Sequence, residues 1–249
     1  MKMLLVSDLH YTLKQYDWVQ QVAGHFDFVV IAGDHLDISA VAALESQVIV
    51  ISKYLQRIGA KTRLLVSSGN HDLDTRGADG ERVASWINGG SFPGITVDGQ
   101  LLELDDTTIT VCPWWDGPLG RDTVAAQFAR DAAVRRGRWI WIYHAPPDQS
   151  KTSWGGKNYF GDADLRAWIE QYQPDLVLTG HIHQSPFKSG GSWADRIGNT
   201  WVFNAGRQIG PIPTCIVIDL DTRQAAWHSM EGVEEMLLAT EPAPIAAAA

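Results

Sequence analysis

Five short apolar runs in this chain each lead into side chains able to hold a metal ion or move a proton. Met3-Leu4-Leu5-Val6 runs into Ser7-Asp8-Leu9-His10, and Phe28-Val29-Val30-Ile31-Ala32 into Gly33-Asp34-His35. Arg63-Leu64-Leu65-Val66 precedes Ser68-Gly69-Asn70-His71-Asp72. Trp139-Ile140-Trp141-Ile142-Tyr143 runs into His144-Ala145-Pro146-Pro147, and Leu176-Val177-Leu178-Thr179 into Gly180-His181-Ile182-His183. Asp8, His10, Asp34, Asn70, His144, His181 and His183 together offer carboxylate, imidazole and amide oxygen without thiolate. That donor set suits Mn, Fe, Zn, Co or Ni better than the all-oxygen preferences of Ca or Mg. It exceeds what one open catalytic ion needs, but fits two ions sharing a bridge. Two carboxylates against two divalent cations leave about two positive charges, which attract phosphate esters.

The elements that must position these groups follow from periodicity. In an open α/β sheet, ligands bind beyond the carboxyl ends of the strands, so the five motifs can converge there. Gly69 is expected to let the chain turn as its strand ends. Lys14 to Ala23 reads as a helix stopped by Gly24. Ile38, Val41, Leu44, Val48, Ile51, Leu55 and Ile58 predict a longer one, capped by Asp37 and ended by Gly59. Strand–helix–strand–helix–strand over the first 66 residues predicts a parallel, doubly covered start. Residues 73 to 94 are polar and glycine-rich, with a short helix expected from Glu81 to Ile87. Ile95 and Val97, the Asp98-Gly99 pair and Leu101 to Leu104 then read as a hairpin, extended by a strand from Thr108 to Cys112. A helix is expected from Asp122 to Arg136, a long loop from Ala145 to Gly161, and a helix through Leu165, Trp168, Ile169 and Tyr172. A further loop, a strand at Thr200 to Phe203 and a hairpin from Thr214 to Trp227 follow.

The 249 residues suit a single domain, with a low-complexity tail from about residue 241. The composition, 45% apolar and 20% charged, is that of a globular protein with no run long enough to span a membrane. A net charge of −9 without a basic stripe argues against dedicated nucleic-acid binding. Cys112 and Cys215 lie in apolar runs and read as reduced, buried thiols. The first strand begins near residue 2, leaving no room for a secretory signal, so a cytoplasmic protein is expected.

Asp-x-His, Gly-Asp, Gly-Asn-His-Asp, a single His and Gly-His-x-His, in that order between residues 8 and 183, resemble the calcineurin-like metallophosphoesterase family. The resemblance implies an α/β fold, a four-layer αββα sandwich of two mixed sheets flanked by helices. It assigns Asp8, His10 and His183 to one metal, Asn70, His144 and His181 to the second, and Asp34 to both. The ions would be divalent or of mixed valence, Mn, Fe or Zn. His71 would assist catalysis without ligating, with Asp72 orienting it. The implied activity is hydrolysis of a small-molecule phosphate ester, a nucleotide among the candidates, with phosphodiesters favoured and a metal-bridging hydroxide attacking in line. The alternatives are a phosphomonoesterase, acting on protein or small molecules, and a protein-binding scaffold that keeps the fold. His35 departs from the apolar residue usual in the family and is a candidate for substrate contact.

Position after the motifs nominates Tyr11, Trp114, Trp115, Trp154, Lys157, Arg207 and the Asn204-Ala205-Gly206 turn for the substrate pocket. Tryptophan can stack on a base, and Lys or Arg can meet a phosphate. Gly155-Gly156-Lys157 hints at a phosphate loop, but Asn158 stands where Ser or Thr would hold magnesium. No Gly-x-Ser-x-Gly elbow is present for a serine hydrolase.

Overall fold

The computed structural model describes residues 1–87 and 92–238; the tail from about residue 241 lies outside them. The first strands are β1 (Lys2–Val6), β2 (Phe28–Ala32), β3 (Arg63–Ser67), β4 (Thr75–Arg76), β5 (Arg82–Val83), β6 (Thr96–Val97), β7 (Leu101–Glu103) and β8 (Thr107–Val111). After them come β9 (Arg138–Ile142), β10 (Leu176–Thr179), β11 (Ala194–Ile197), β12 (Thr200–Asn204), β13 (Cys215–Asp219), β14 (Gln224–Ser229) and β15 (Gly232–Leu237). Helices α1 (Leu13–Val22), α2 (Leu44–Gly59), α3 (Pro118–Val134) and α4 (Ala163–Tyr172) link parallel neighbours.

Among the described residues one sheet runs β15-β14-β13-β1-β2-β3-β6 and the other β11-β12-β10-β9-β8-β7. Both are mixed. β1, β2, β3 and β6 are parallel while β13 runs against β1, and β8, β9, β10 and β12 are parallel while β7 and β11 oppose them.

Side chains alternate across a strand, and that alternation builds the layers. Met3, Leu5, Val30 and Leu65 face Ile109, Ile140, Ile142, Leu178 and Phe203 across the sandwich centre. Leu4, Val6, Val29 and Ile31 face outward onto Tyr16, Val19, Ile51, Leu55 and Ile58 of α1 and α2. On the opposite flank, Trp139, Trp141 and Val177 pack on Val124, Phe128, Leu165 and Ile169 of α3 and α4. The result is the αββα sandwich. Truncating one of these fully buried aliphatics, Ile51 for example, to Ala would cost about 2–5 kcal/mol. Cys112 and Cys215 are buried free thiols. No helix among the described residues is long and apolar enough to cross a membrane.

Five expectations are corrected. The second helix begins at Leu44, and Ile38 and Val41 are 59% and 107% exposed. The buried Gln47 side chain holds the preceding loop instead, accepting from Asp37 N and donating to Asp37 O and Ala42 O. The helix expected from Glu81 to Ile87 is replaced by a small hairpin of β4 with β5. Asp98-Gly99 does not close a hairpin: β6 pairs with β3 in one sheet and β7 with β8 in the other. Buried Asp98 accepts the Ser68 N–H at 2.8 Å, which draws the chain across between sheets. Lastly, α3 starts at Pro118, because the Glu81 carboxylate accepts the Leu119 and Gly120 N–H groups at its first turn. Strand β11 lies within a stretch expected to be loop.

Candidate metal centre

Three motif-bearing strands, β1, β2 and β3, belong to one sheet, and β9 and β10 to the other; their carboxyl ends meet at one end of the sandwich. Asp8, His10, Asp34 and His183 form one group whose ligand atoms lie within 4.8 Å of one another. Asp34, His144 and His181 form a second, so Asp34 is common to both. His183 Nε2 stands 3.1 Å from Asp8 Oδ1 and 3.2 Å from His10 Nε2. His144 Nε2 stands 3.2 Å from Asp34 Oδ2. Asn70 begins a single turn of 3-10 helix just after β3, with its buried Oδ1 lacking a hydrogen-bond partner.

The backbone is bent to achieve this. Asp8, His10, Asp34 and His181 have φ of 56°, 40°, 56° and 67°, in the left-handed region that non-glycine residues seldom occupy. Gly69 is needed for a reason other than the expected turn. Its φ of −117° is open to any residue, but a Cβ there would fall 2.2 Å from Asp34 Oδ1 and 2.8 Å from His144 Cδ2. At Gly180 a Cβ would come within 2.4 Å of Asp8 Oδ2.

The groups present fit a metal. His144 Nδ1 lies 2.7 Å from Ala32 O, which can only accept, so Nδ1 donates and the lone pair of the neutral ring is on Nε2. That buried Nε2 has no aligned hydrogen-bond partner. Burial opposes a charge on His144, but Asp34 and then Asp8 outweigh it and lift the ring to about 9 without metal. Burial pushes His10 down to about 4 despite Asp34 and Asp8. His181 is likewise pushed to about 4, by burial and then by His144. Both rings are therefore neutral, as ligands must be. Against the pull of burial, Asp34 and Asp8 are held below the usual carboxylate range, each chiefly by His144.

His71 lies edge-on to His10 with ring centroids 4.6 Å apart. Its backbone N–H donates to Asp34 Oδ1 at 2.9 Å, and its buried ring Nδ1 has no hydrogen-bond partner. Asp72 does not orient that ring. Its carboxylate accepts the backbone N–H groups of His35 (2.9 Å), Leu36 (3.0 Å) and Gly69 (2.8 Å), tying the Asp34 loop to the Asn70 turn.

The nominated substrate contacts divide. His35 is fully buried and touches no open space: Nε2 donates to Ser67 O, so Nδ1 accepts from Tyr16 Oη. Trp114 packs against the cluster, 5.2 Å from His181 and 5.6 Å from His144 between ring centroids. Arg207 reaches it too, its Nε donating to Asp8 O at 3.1 Å. Trp115 instead stacks on Tyr143 at 4.2 Å, in the layer of α3 and α4. Trp154 and Lys157 stand on the loop after His144, where Trp154 Nε1 donates to Ser189 O. Buried Asn204 donates to Thr152 O and Ile182 O and so joins loops. The partly buried Tyr11 ring packs against the core that lies beneath α1 and α2.

One supporting residue carries no sequence signal of its role. Asp98 braces Ser68, whose Oγ in turn accepts the Trp114 N–H at 2.9 Å. Burial pushes Asp98 up to about 7. An Asp-Gly pair is ordinary turn vocabulary, so nothing local distinguishes it.

A family model of calcineurin-like phosphoesterases matches residues 1–185, and the chain belongs to that family. The fold resembles that of TT1561 from Thermus thermophilus, with a TM-score of 0.59 and 13% identity over 96% of this chain and 99% of that one. It also resembles the purple acid phosphatase PPD1 of yellow lupin (Lupinus luteus) seeds, at a TM-score of 0.53 and 12% identity over 96% of this chain and 51% of that one. At those identities the likeness is one of fold alone. No curated protein matches the sequence.

Proposed function

We propose that this protein is a phosphoesterase with a two-metal centre, acting on phosphodiesters in preference to monoesters. Asp8, His10 and His183 hold one ion, Asn70, His144 and His181 the other, and Asp34 both; the ions are Mn, Fe or Zn. The observation that carries this reading is the sharing of Asp34 between two ligand groups, one containing the buried Nε2 of His144, 3.2 Å from Asp34 Oδ2. When bound, two such ions supply Lewis acidity and make water a nucleophile at neutral pH.

The chain supplies the rest. The oxygen of water forms a bond to phosphorus as the ester P–O bond breaks, and the departing oxygen takes a proton. His71, whose backbone N–H is held by Asp34, would give that proton or stabilise the charge that precedes it. Arg207, anchored on Asp8 O, presents its remaining N–H groups to a phosphate oxygen. Trp114 walls the second ligand group. The preference for diesters comes from the family resemblance of the five motifs.

Metal analysis of purified protein, with activity on a phosphomonoester, a linear diester and a cyclic nucleotide, tests the proposal. Two equivalents of metal and fastest turnover of a diester are expected. One equivalent, or no hydrolysis of any ester, overturns it.

A further inference from the structure

Two neighbouring loops beside the metal centre differ in charge from the rest of the molecule. The loop from Ser150 to Phe160 follows the His144 motif, and that from Gln184 to Ser192 follows His183. Together they carry Lys151, Lys157 and Lys188 and no Asp or Glu, in a chain whose net charge is −9. All three lysines are exposed, and none has an ion pair among the described residues. Lys151 lies beside Asp195, whose carboxylate accepts its backbone N–H at 2.8 Å. Lys157 and Lys188 are thus the uncompensated pair.

The loops form one packed lobe. Ser185 Oγ donates to Trp154 O and Trp154 Nε1 to Ser189 O, each at 2.9 Å. Gly155 N donates to Asn158 O at 2.9 Å, which closes a turn that carries Lys157. A Cβ on Gly156 would touch Lys188 Cδ at 3.6 Å, so the stem of Lys188 passes over the residue before Lys157. Aromatic rings share this lobe: Trp154 and Tyr159 are 4.9 Å apart, and Tyr159 and Phe160 are 38% and 55% exposed. The lobe also abuts the metal centre, since a Cβ on Gly206, next to Arg207, would lie 2.7 Å from Pro186 Cγ and 3.0 Å from His183 O.

Exposed rings beside unpaired cations suit a ligand that is both planar and polyanionic. A free phosphate would make no use of the rings, and an apolar ligand none of the lysines. We propose that this lobe binds the base and the additional phosphate of a small nucleotidic phosphodiester, of the size of a dinucleotide, whose scissile phosphate sits at the metal centre. The inference rests on the phosphoesterase reading and narrows its substrate class.

The test measures binding and turnover separately in the manganese-loaded protein. Binding of a 5′-phosphorylated dinucleotide with a phosphorothioate linkage is followed by tryptophan fluorescence, with Trp154→Phe as control. Wild type should bind with quenching that Trp154→Phe removes. Lys188→Glu with Tyr159→Ala should weaken binding about tenfold or more, with a shallower salt dependence. The same variant should lose at least about ten times more kcat/KM on the natural dinucleotide than on bis(4-nitrophenyl) phosphate. Equal dinucleotide affinity in wild type and variant, or no dinucleotide binding by wild type, overturns the proposal. Intact dinucleotide binding without hydrolysis of either ester would count against the phosphoesterase reading alone.

Discussion

Asp34 and Asp72 exchange backbone partners: Asp34 Oδ1 accepts the N–H of His71 at 2.9 Å, and Asp72 Oδ1 accepts the N–H of His35 at 2.9 Å. Each carboxylate thus holds the turn that carries the other. The two turns are separate in sequence yet locked in register, and a metal ligand on one is fixed relative to a metal ligand on the other.

Asp72→Asn should therefore disturb assembly of the centre, not proton transfer. An amide can accept with one atom only, so the Gly69 N–H would face a donor. Losing a buried charge-assisted bond of this kind costs about 1.5–3 kcal/mol. A lower Tm and weaker metal binding are expected, with an activity loss that does not depend on leaving-group pKa. A loss confined to poor leaving groups would restore a direct link to His71.

His71→Ala should keep both metals and lose turnover by roughly 10²–10⁴-fold. The loss should shrink for nitrophenyl esters, whose leaving groups need little protonation. Metal analysis beside a leaving-group series checks this, and metal depletion in the variant would place His71 among the ligands.

Asp34→Asn should bind less metal and lose activity, because a neutral group cannot offset repulsion between two cations. Metal content by elemental analysis decides, and normal turnover with two ions would refute the shared role.

Gly69→Ala leaves the backbone conformation allowed, yet drives a methyl into Asp34 Oδ1 and His144. Overpacking of this kind costs about 1–3 kcal/mol. The expected result is weakened metal affinity in a folded protein. Unchanged affinity would show that the loop yields at no cost.

The pH response follows from His144. Its folded value of about 9 lies above the ordinary 6.5, so without metal its charge adds stability below pH 6.5, and that stability is lost as pH rises through about 9. Metal binding must displace the same proton, so metal affinity should rise over pH 7 to 9. Calorimetry of metal-free and metal-titrated protein should show the two trends opposed. Parallel trends would mean that His144 is not the titrating ligand.

The ligand-bearing turns are legible in sequence because each ligand type directly follows an apolar run, and a strand end is a local signal. Helix α4 is legible for a similar reason, from the spacing of Leu165 and Ile169. What sequence does not reveal depends on contacts between distant segments. Asp72 sits beside His71 in the chain but bonds across to His35, and the role of Asp98 exists only through Ser68, 30 residues away. The start of α2 is misread because Ile38 and Val41 extend the helical spacing while facing solvent. The role of Gly69 is hidden because steric closeness to another loop leaves no mark on local conformation.

Asp8, Asp34 and Asn70 come from one sheet and His144 and His181 from the other, so bound ions would rivet the two halves of the sandwich at one end only. Already, without them, hydrogen bonds cross that seam, from His144 Nδ1 to Ala32 O and from the His181 N–H to the Asp8 carboxylate. Hydrogen exchange should then slow on metal loading at the amides after β1, β2, β9 and β10, while the opposite edge of the sandwich, around Asp27 and Asp105, exchanges as before. The ligands would act on the molecule as a hinge pin acts on two plates, stiffening it from the end where the chemistry takes place.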